Sequence, residues 1–205
     1  MSFDNDLIAA KLRRWEQYLL DFKLPEWNEI PDIGLYMEQL IQILGEYLDY
    51  LPPELKEEQF VTPATINNYV RTKVIPAPIK KRYYREHIAY LILVLMLKQN
   101  MNIAQVQSII PVGISSEEVE EKYRAYVQML ERAKTVFLMS MRAIAGPILK
   151  HDDVNDLQVD NTDDLILLVA MSGGFNRLLT DKLLLLNDVK LSDMSPEDLE
   201  IRRRG

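Results

Sequence analysis

Apolar residues recur along most of this chain at intervals of three and four, the spacing that turns one face of a helix toward a core. Leu7, Ile8, Leu12, Trp15, Leu19 and Phe22 form the first such stripe and predict a helix from about Asp4 to Phe22. Pro25 and Pro31 then mark an extended connector. Met37, Leu40, Ile41, Leu44, Leu48 and Leu51 form a second stripe, closed by Pro52-Pro53. A shorter helix is expected from Pro63 to Lys73. Thr62 is placed to cap it, and Pro63 falls at the first helical position, where a missing N–H costs nothing. Pro76 and Pro78 stop helix formation, so Lys80 to Arg85 is either a short ribbon or an extended loop. Glu86 to Asn100 reads as a strongly apolar helix, and Asn102 caps another from Ile103 to Ile110.

Pro111 and Gly113 mark the next boundary. Beyond them Ser116, Val119, Tyr123, Tyr126, Leu130, Ala133, Phe137 and Ile144 predict a long helix ended by Gly146-Pro147. From Tyr123 the spacing alternates three and four, and with Ser140 it makes a seam of three heptads. Such a seam packs against a second chain or within its own bundle. An acidic, loop-like stretch runs from His151 to Asp164, and Leu165 to Asn187 reads as an apolar helix, or a helix pair broken at Gly173-Gly174. Trp and Tyr residues on the first two helices are assigned to the core. The expected fold class is all-α, with at most a short β-ribbon.

Composition changes this picture in two ways. There are no cysteines, which excludes disulfides and thiolate metal sites, and only two histidines, His87 and His151. The aspartates at 152, 153, 156, 160, 163 and 164 lack the central Gly and terminal Glu of a calcium loop, so no metal and no cofactor is expected. Charge is the second. Between Thr62 and Lys98 the seven basic residues Arg71, Lys73, Lys80, Lys81, Arg82, Arg85 and Lys98 stand against Glu86 alone. That is a local +6 in a chain of net −7, so the remainder carries −13. A basic segment inside an acidic chain is either a solvated face or the footprint of a polyanion. No apolar run approaches the roughly 20 residues of a membrane span, and the first residues lack a basic-then-apolar leader. The expected setting is cytoplasmic.

The run Thr65-Ile66-Asn67-Asn68-Tyr69-Val70-Arg71 places Ile66, Tyr69 and Val70 on one helical face and Asn67, Asn68 and Arg71 largely on the other. A short helix with a sealed apolar face and an amide-and-arginine outer face suits a major groove. Asn can pair bidentately with adenine and Arg with guanine. Lys80, Lys81, Arg82 and Arg85 would then reach phosphates, which position a protein on the duplex.

These residues resemble the MerR family of bacterial regulators. That family's recognition helix reads Thr-Leu-Arg-Tyr-Tyr with a Gly-Leu-Leu/Ile-x-Pro exit, to which Thr65, Ile66, Tyr69, Val74, Ile75 and Pro76 correspond. Its wing ends Tyr-Arg-x-Tyr, then acidic residues and a helix; Arg82, Tyr84, Glu86 and the helix from His87 match. Asn102-Ile103-Ala104-Gln105-Val106 resembles the start of its next helix. The likeness covers about fifty of the 205 residues. More closely, 65–71 with 80–88 is similar to an uncharacterised family of Gram-positive bacteria. Three positions depart. Asn67 and Asn68 replace the recognition-helix Arg and Tyr. Lys73 replaces the exit glycine, so the helix is expected to end differently. The link from Leu51 to Thr62 is long unless a short helix fills 54–59.

The resemblance implies a MerR-like winged helix-turn-helix over 36–112, between an N-terminal helix and connector (1–35) and a helical region (113–190) that dimerises or binds an effector, with a tail at 191–205. It implies a sequence-specific regulator of double-stranded DNA, with Thr65, Asn67, Asn68, Arg71, Lys73, Lys80, Lys81, Arg82, Tyr84 and Arg85 as contacts. A homodimer through 116–145 would set two recognition helices at half-sites one or more turns apart. The main alternative is a non-enzymatic protein-interaction module that kept the shape without DNA binding. A third is a small-molecule-binding bundle with a pocket near Trp15, Phe137 and Phe175. No nucleophile, base and orienting acid recur at a recognisable spacing, and Glu86 and His87, being adjacent, do not share a helix face, so no enzyme is expected.

Overall fold

The apolar stripes lie on helices in the structure, a computed structural model that describes residues 5–49, 61–149 and 158–166, with 168, 169, 172, 173, 176 and 177. Helix α1 spans Asn5–Asp21, α2 Met37–Tyr47, α3 Pro63–Arg71, α4 Arg85–Leu97, α5 Ile103–Ile109, α6 Ser116–Ile144 and α7 Gly146–Leu149, with a 3-10 turn at Trp27–Glu29. The fold is all-α. Among the described residues the only β-pairing is two isolated antiparallel bridges, Leu35 with Tyr83 and Ile79 with Arg82.

The helix starts follow local chemistry. Thr62 Oγ1 accepts from the Thr65 N–H (3.1 Å), and Asn102 Oδ1 from the Gln105 N–H (3.0 Å). Ser115 and Glu118 close a reciprocal capping box on α6, at 3.2 and 2.8 Å. Gly146-Pro147 stops α6 at Ile144 and then opens α7. Asn161 Oδ1 accepts from the Asp164 N–H (2.9 Å), so the last part of the acidic stretch is a helix start. The expected helix at 54–59, the acidic residues 151–157, Phe175, most of 165–187 and the tail from 191 lie outside the described residues.

Helix α4 is apolar on every side, and such a helix must be surrounded. Every residue from Ile88 to Val94 is at most 2% exposed. Helices α2 and α6 pack on it. The core built around it runs from Leu24 to Val127, so the predicted 36–112 segment shares one interior with Leu24–Leu35 and with Val119–Val127. Two smaller clusters hold the remaining helices. Ala145, Ile148, Leu149 and Leu165 pack with Ile8 and Leu12, and Leu19, Leu138 and Met141 pack with Trp15. A Glu16–Arg142 ion pair joins α1 to α6 beside the latter. The chain divides into the unit Met1–Leu165 and the unit Ile166–Gly205. In the second, all described residues are helical, Gly173 included. No helix among the described residues is long and apolar enough to cross a membrane.

Two buried phenols tie loops to this core. Tyr90 Oη donates to the Pro111 carbonyl and Tyr123 Oη to the Pro25 carbonyl, both at 2.8 Å. Burial pushes the Tyr90 phenol up to about 12, with Glu86 adding to the rise, and raises Tyr123 further, again chiefly by burial. The unfolded chain ionises these phenols near pH 10, as ordinary tyrosines do. Between pH 10 and about 12 the folded state therefore binds more protons than the unfolded one, and stability falls as pH rises. Urea midpoints are expected to drop steadily from pH 9 to 11.5, and Tyr90→Phe should flatten that drop. A wild-type midpoint constant over this range would refute the assignment.

Candidate nucleic-acid interface

Helix α3 turns Ile66 and Tyr69 into the core and leaves Ala64, Asn67, Asn68 and Arg71 exposed along its opposite side. These positions recur at three and four residues, so they form one face. Arg71 Nη2 donates to Asn68 Oδ1 at 2.7 Å. The Asn67 side chain has no hydrogen-bond partner among the described residues. Thr65 is half-buried, and its hydroxyl lies 3.0 Å from Thr62 Oγ1 within the cap.

The exit of α3 differs from expectation. Lys73 does take the left-handed conformation (φ 55°) where a glycine is usual. Its N–H donates to the Val70 carbonyl (3.1 Å) and the Val74 N–H to the Tyr69 carbonyl (2.8 Å), the paired bonds of a Schellman ending. Burial of Val74 and Ile75 holds the chain there, and Gln107 Nε2 donates to the Lys73 carbonyl (3.0 Å) from α5.

The basic segment that follows is a ribbon. Ile79 and Arg82 exchange both backbone hydrogen bonds at 3.0 Å around a two-residue turn, Lys80-Lys81. Both lysines have positive φ (49° and 63°), as a type I′ turn demands. Neither ammonium group has a partner among the described residues, and both are exposed. Leu35 adds a third segment, exchanging two backbone hydrogen bonds with Tyr83, at 2.8 and 2.9 Å.

The two arginines of this ribbon are engaged elsewhere. Arg82 stacks over the Tyr36 ring (4.5 Å) and donates to Tyr36 Oη (2.8 Å) and the Gly34 carbonyl (3.2 Å). Gly34 is required by that approach, since a Cβ there would meet Arg82 Cδ at 2.6 Å. Arg85 is half-buried, donates to the Ile30 carbonyl (2.8 Å) and faces the Trp27 ring at 5.8 Å. Tyr84 is half-buried, and its N–H donates to His87 Nδ1 (3.1 Å). With Nδ1 accepting, Nε2 carries the hydrogen and donates to the Ala77 carbonyl (3.0 Å), so buried His87 clasps the ribbon from both ends.

The structure thus leaves Asn67, Asn68, Arg71, Lys73, Lys80 and Lys81 exposed to meet a ligand, while Thr65, Arg82, Tyr84 and Arg85 hold the frame. Gly34, Tyr36, His87 and Gln107 belong to that frame and carry no motif of their own. The imidazole of His87 at the third position after Tyr84, a cap position, is the one local signal that could have revealed it.

The long α6 seam is largely spent within the chain. Tyr123 is fully buried, Tyr126 and Leu130 pack on the main core, and Ile144 packs on the α7 cluster. Phe137 is 40% exposed and meets Trp15 edge-on at 5.5 Å. A row that shares Ala133 and Ser140 with that seam, together with Met129 and Val136, keeps a four-three-four spacing and is exposed throughout.

The fold and site define an all-α chain that presents a short polar helix and a lysine-tipped ribbon from a common core. A family model described as a domain of unknown function (DUF1836) matches residues 25–129, just over half of the chain. The chain belongs to that family. No curated protein and no solved structure matches it.

Proposed function

We propose that this protein is a DNA-binding regulator that lays α3 in the major groove and rests the Lys80-Lys81 tip on the adjoining phosphates. The observation that carries this reading is the exposed face of α3. Asn67, Asn68 and Arg71 are exposed on the side of α3 opposite its buried Ile66 and Tyr69. The succession of α2, α3, ribbon, α4 and α5 also supports it, because this is the order that the MerR-like resemblance implies. Acidity elsewhere repels the duplex and limits contact to the basic segment.

The test is binding to random duplex fragments across a salt series, with wild type beside Arg71→Ala/Lys81→Ala. Wild-type affinity should fall steeply as salt rises, and the variant should bind more weakly with a slope shallower by about 1, the share of the Lys81 phosphate contact. No binding by wild type at low salt would overturn the reading. In that event the exposed Tyr36 (51%) and Ile79 (58%) beside Arg82 favour a protein partner on the ribbon.

Pairing of two chains is assigned to the exposed row on α6, as its heptad spacing suits a helix–helix seam. Val136 is 63% exposed, so Val136→Glu should leave folding intact. It should halve the mass measured by light scattering and weaken binding to a two-half-site duplex about tenfold or more. A wild-type monomer, or a variant that stays dimeric, would refute this interface.

A further inference from the structure

Helix α3 carries two adjacent amides, and the structure puts them in different states. We infer that Asn67 reads an adenine, while Asn68 positions Arg71 for a guanine within two base pairs of it. The inference rests on the proposed DNA reading and concerns which bases that helix selects.

An adenine edge offers N7 as acceptor and N6–H as donor, so a side chain that reads it needs one donor and one acceptor uncommitted. Asn67 meets that requirement. It is exposed, and its amide has no partner among the described residues. Asn68 meets it less well. Its Oδ1 already accepts from Arg71 Nη2 at 2.7 Å, one helical turn along. Its backbone carbonyl is also occupied, by the Thr72 hydroxyl and the Thr72 N–H, which fixes the local end of the helix.

The Asn68–Arg71 bond has a second effect. A free arginine side chain loses rotamer freedom when it is immobilised. Held by Asn68 before any ligand arrives, Arg71 loses less on docking. Only one of its five N–H donors is used by that bond, and guanine needs two, for O6 and N7. Asn68 is therefore a positioning residue and Arg71 the base contact.

The separation of the two bases follows from the helix. Asn67 and Arg71 are four residues apart, about 6 Å along the axis at 1.5 Å per residue. Stacked bases repeat at about 3.4 Å along a strand, so the two contacts fall within two steps.

The experiment is selection of bound sequences from a random duplex pool by the full chain, with wild type, Asn67→Ala, Asn68→Ala and Arg71→Ala side by side. Wild type should enrich a half-site with an adenine and a guanine no more than two positions apart. Asn67→Ala should cut the adenine preference about tenfold and leave the guanine. Arg71→Ala should abolish the guanine preference, and Asn68→Ala should weaken the same position without touching the adenine. Loss of adenine in Asn68→Ala, or its survival in Asn67→Ala, would overturn the assignment. So would a uniform loss of affinity with unchanged base preferences, since that is the signature of phosphate contact. Failure of wild type to bind any duplex at low salt overturns the DNA reading itself, a distinct result.

Discussion

Replacing Lys80 by Asn and Lys81 by Gly is expected to stabilise the protein and, on the proposed reading, to weaken its binding to DNA. Both lysines sit at positive φ at the ribbon tip, a conformation that costs an ordinary side chain roughly 1–2 kcal/mol. Asn-Gly is the pair that a type I′ turn prefers. Glycine also enlarges the freedom of the unfolded chain, which takes back part of the gain. A net gain of about 1–2 kcal/mol corresponds to about 3–6 °C in melting temperature for a chain of this size. The same change removes two unpartnered cations. The salt slope of duplex binding should become shallower by about 2, and affinity at moderate salt should fall tenfold or more. Backbone strain of this kind persists where the surroundings enforce it and gathers at functional sites. Lys73→Gly relieves the same strain away from the ribbon tip and is a control for melting temperature, because the Lys73 carbonyl keeps its bond from Gln107 whatever the side chain. A lower melting temperature for the Asn-Gly variant would show that the tip is unstrained. Unchanged binding would show that the tip does not reach the duplex.

Tyr123→Ala should be among the most damaging single changes in the chain. The residue is fully buried, its ring lies 5.9 Å from that of Trp27, and its hydroxyl bonds the Pro25 carbonyl. Truncation removes the ring contacts and opens a cavity where α6, the 3-10 turn and the connector meet. Large aromatic truncations of this type cost about 3–5 kcal/mol. That is a third or more of the stability a domain usually has. Tyr123→Phe keeps the ring and strands only the carbonyl, so about 1–2 kcal/mol is expected. Urea unfolding followed by circular dichroism separates the two. Equal and small losses in both would mean that α6 adds little to the main core.

The expectations that held best are those set by local rules. Among the described residues, periodicity located α1 to α6 to within a few residues, and Thr62, Asn102 and the prolines set the starts and stops, because caps and missing N–H groups act over one turn. Helix α4 was legible for a related reason, since an unbroken apolar run has to be surrounded. The roles of the basic residues were less legible. Arg82 and Arg85 look like free cations in the sequence, yet their partners Gly34, Tyr36, Ile30 and Trp27 lie more than 45 residues earlier. A pattern read in a short window has no access to such partners. Lys73 misled in the opposite direction. Local preference argued against a left-handed lysine, but burial of Val74 and Ile75 and the bond from Gln107 outweigh it. On α6 the heptad spacing was plain, while which row faces the core depended on helices α4, α1 and α7.

The bond between Tyr123 and Pro25 also says where this chain can be cut. A fragment of 36–112 would carry α2 to α5, but it would lack the strand residue Leu35, the guanidinium partners Gly34, Ile30 and Trp27, and the phenol that closes the connector. Such a piece should expose apolar surface and aggregate. A fragment running from just before Leu24 to just after Leu130 would keep every one of these ties. The family match, 25–129, has nearly those limits. The segment that the family model matches thus nearly coincides with the span of residues that build the main core.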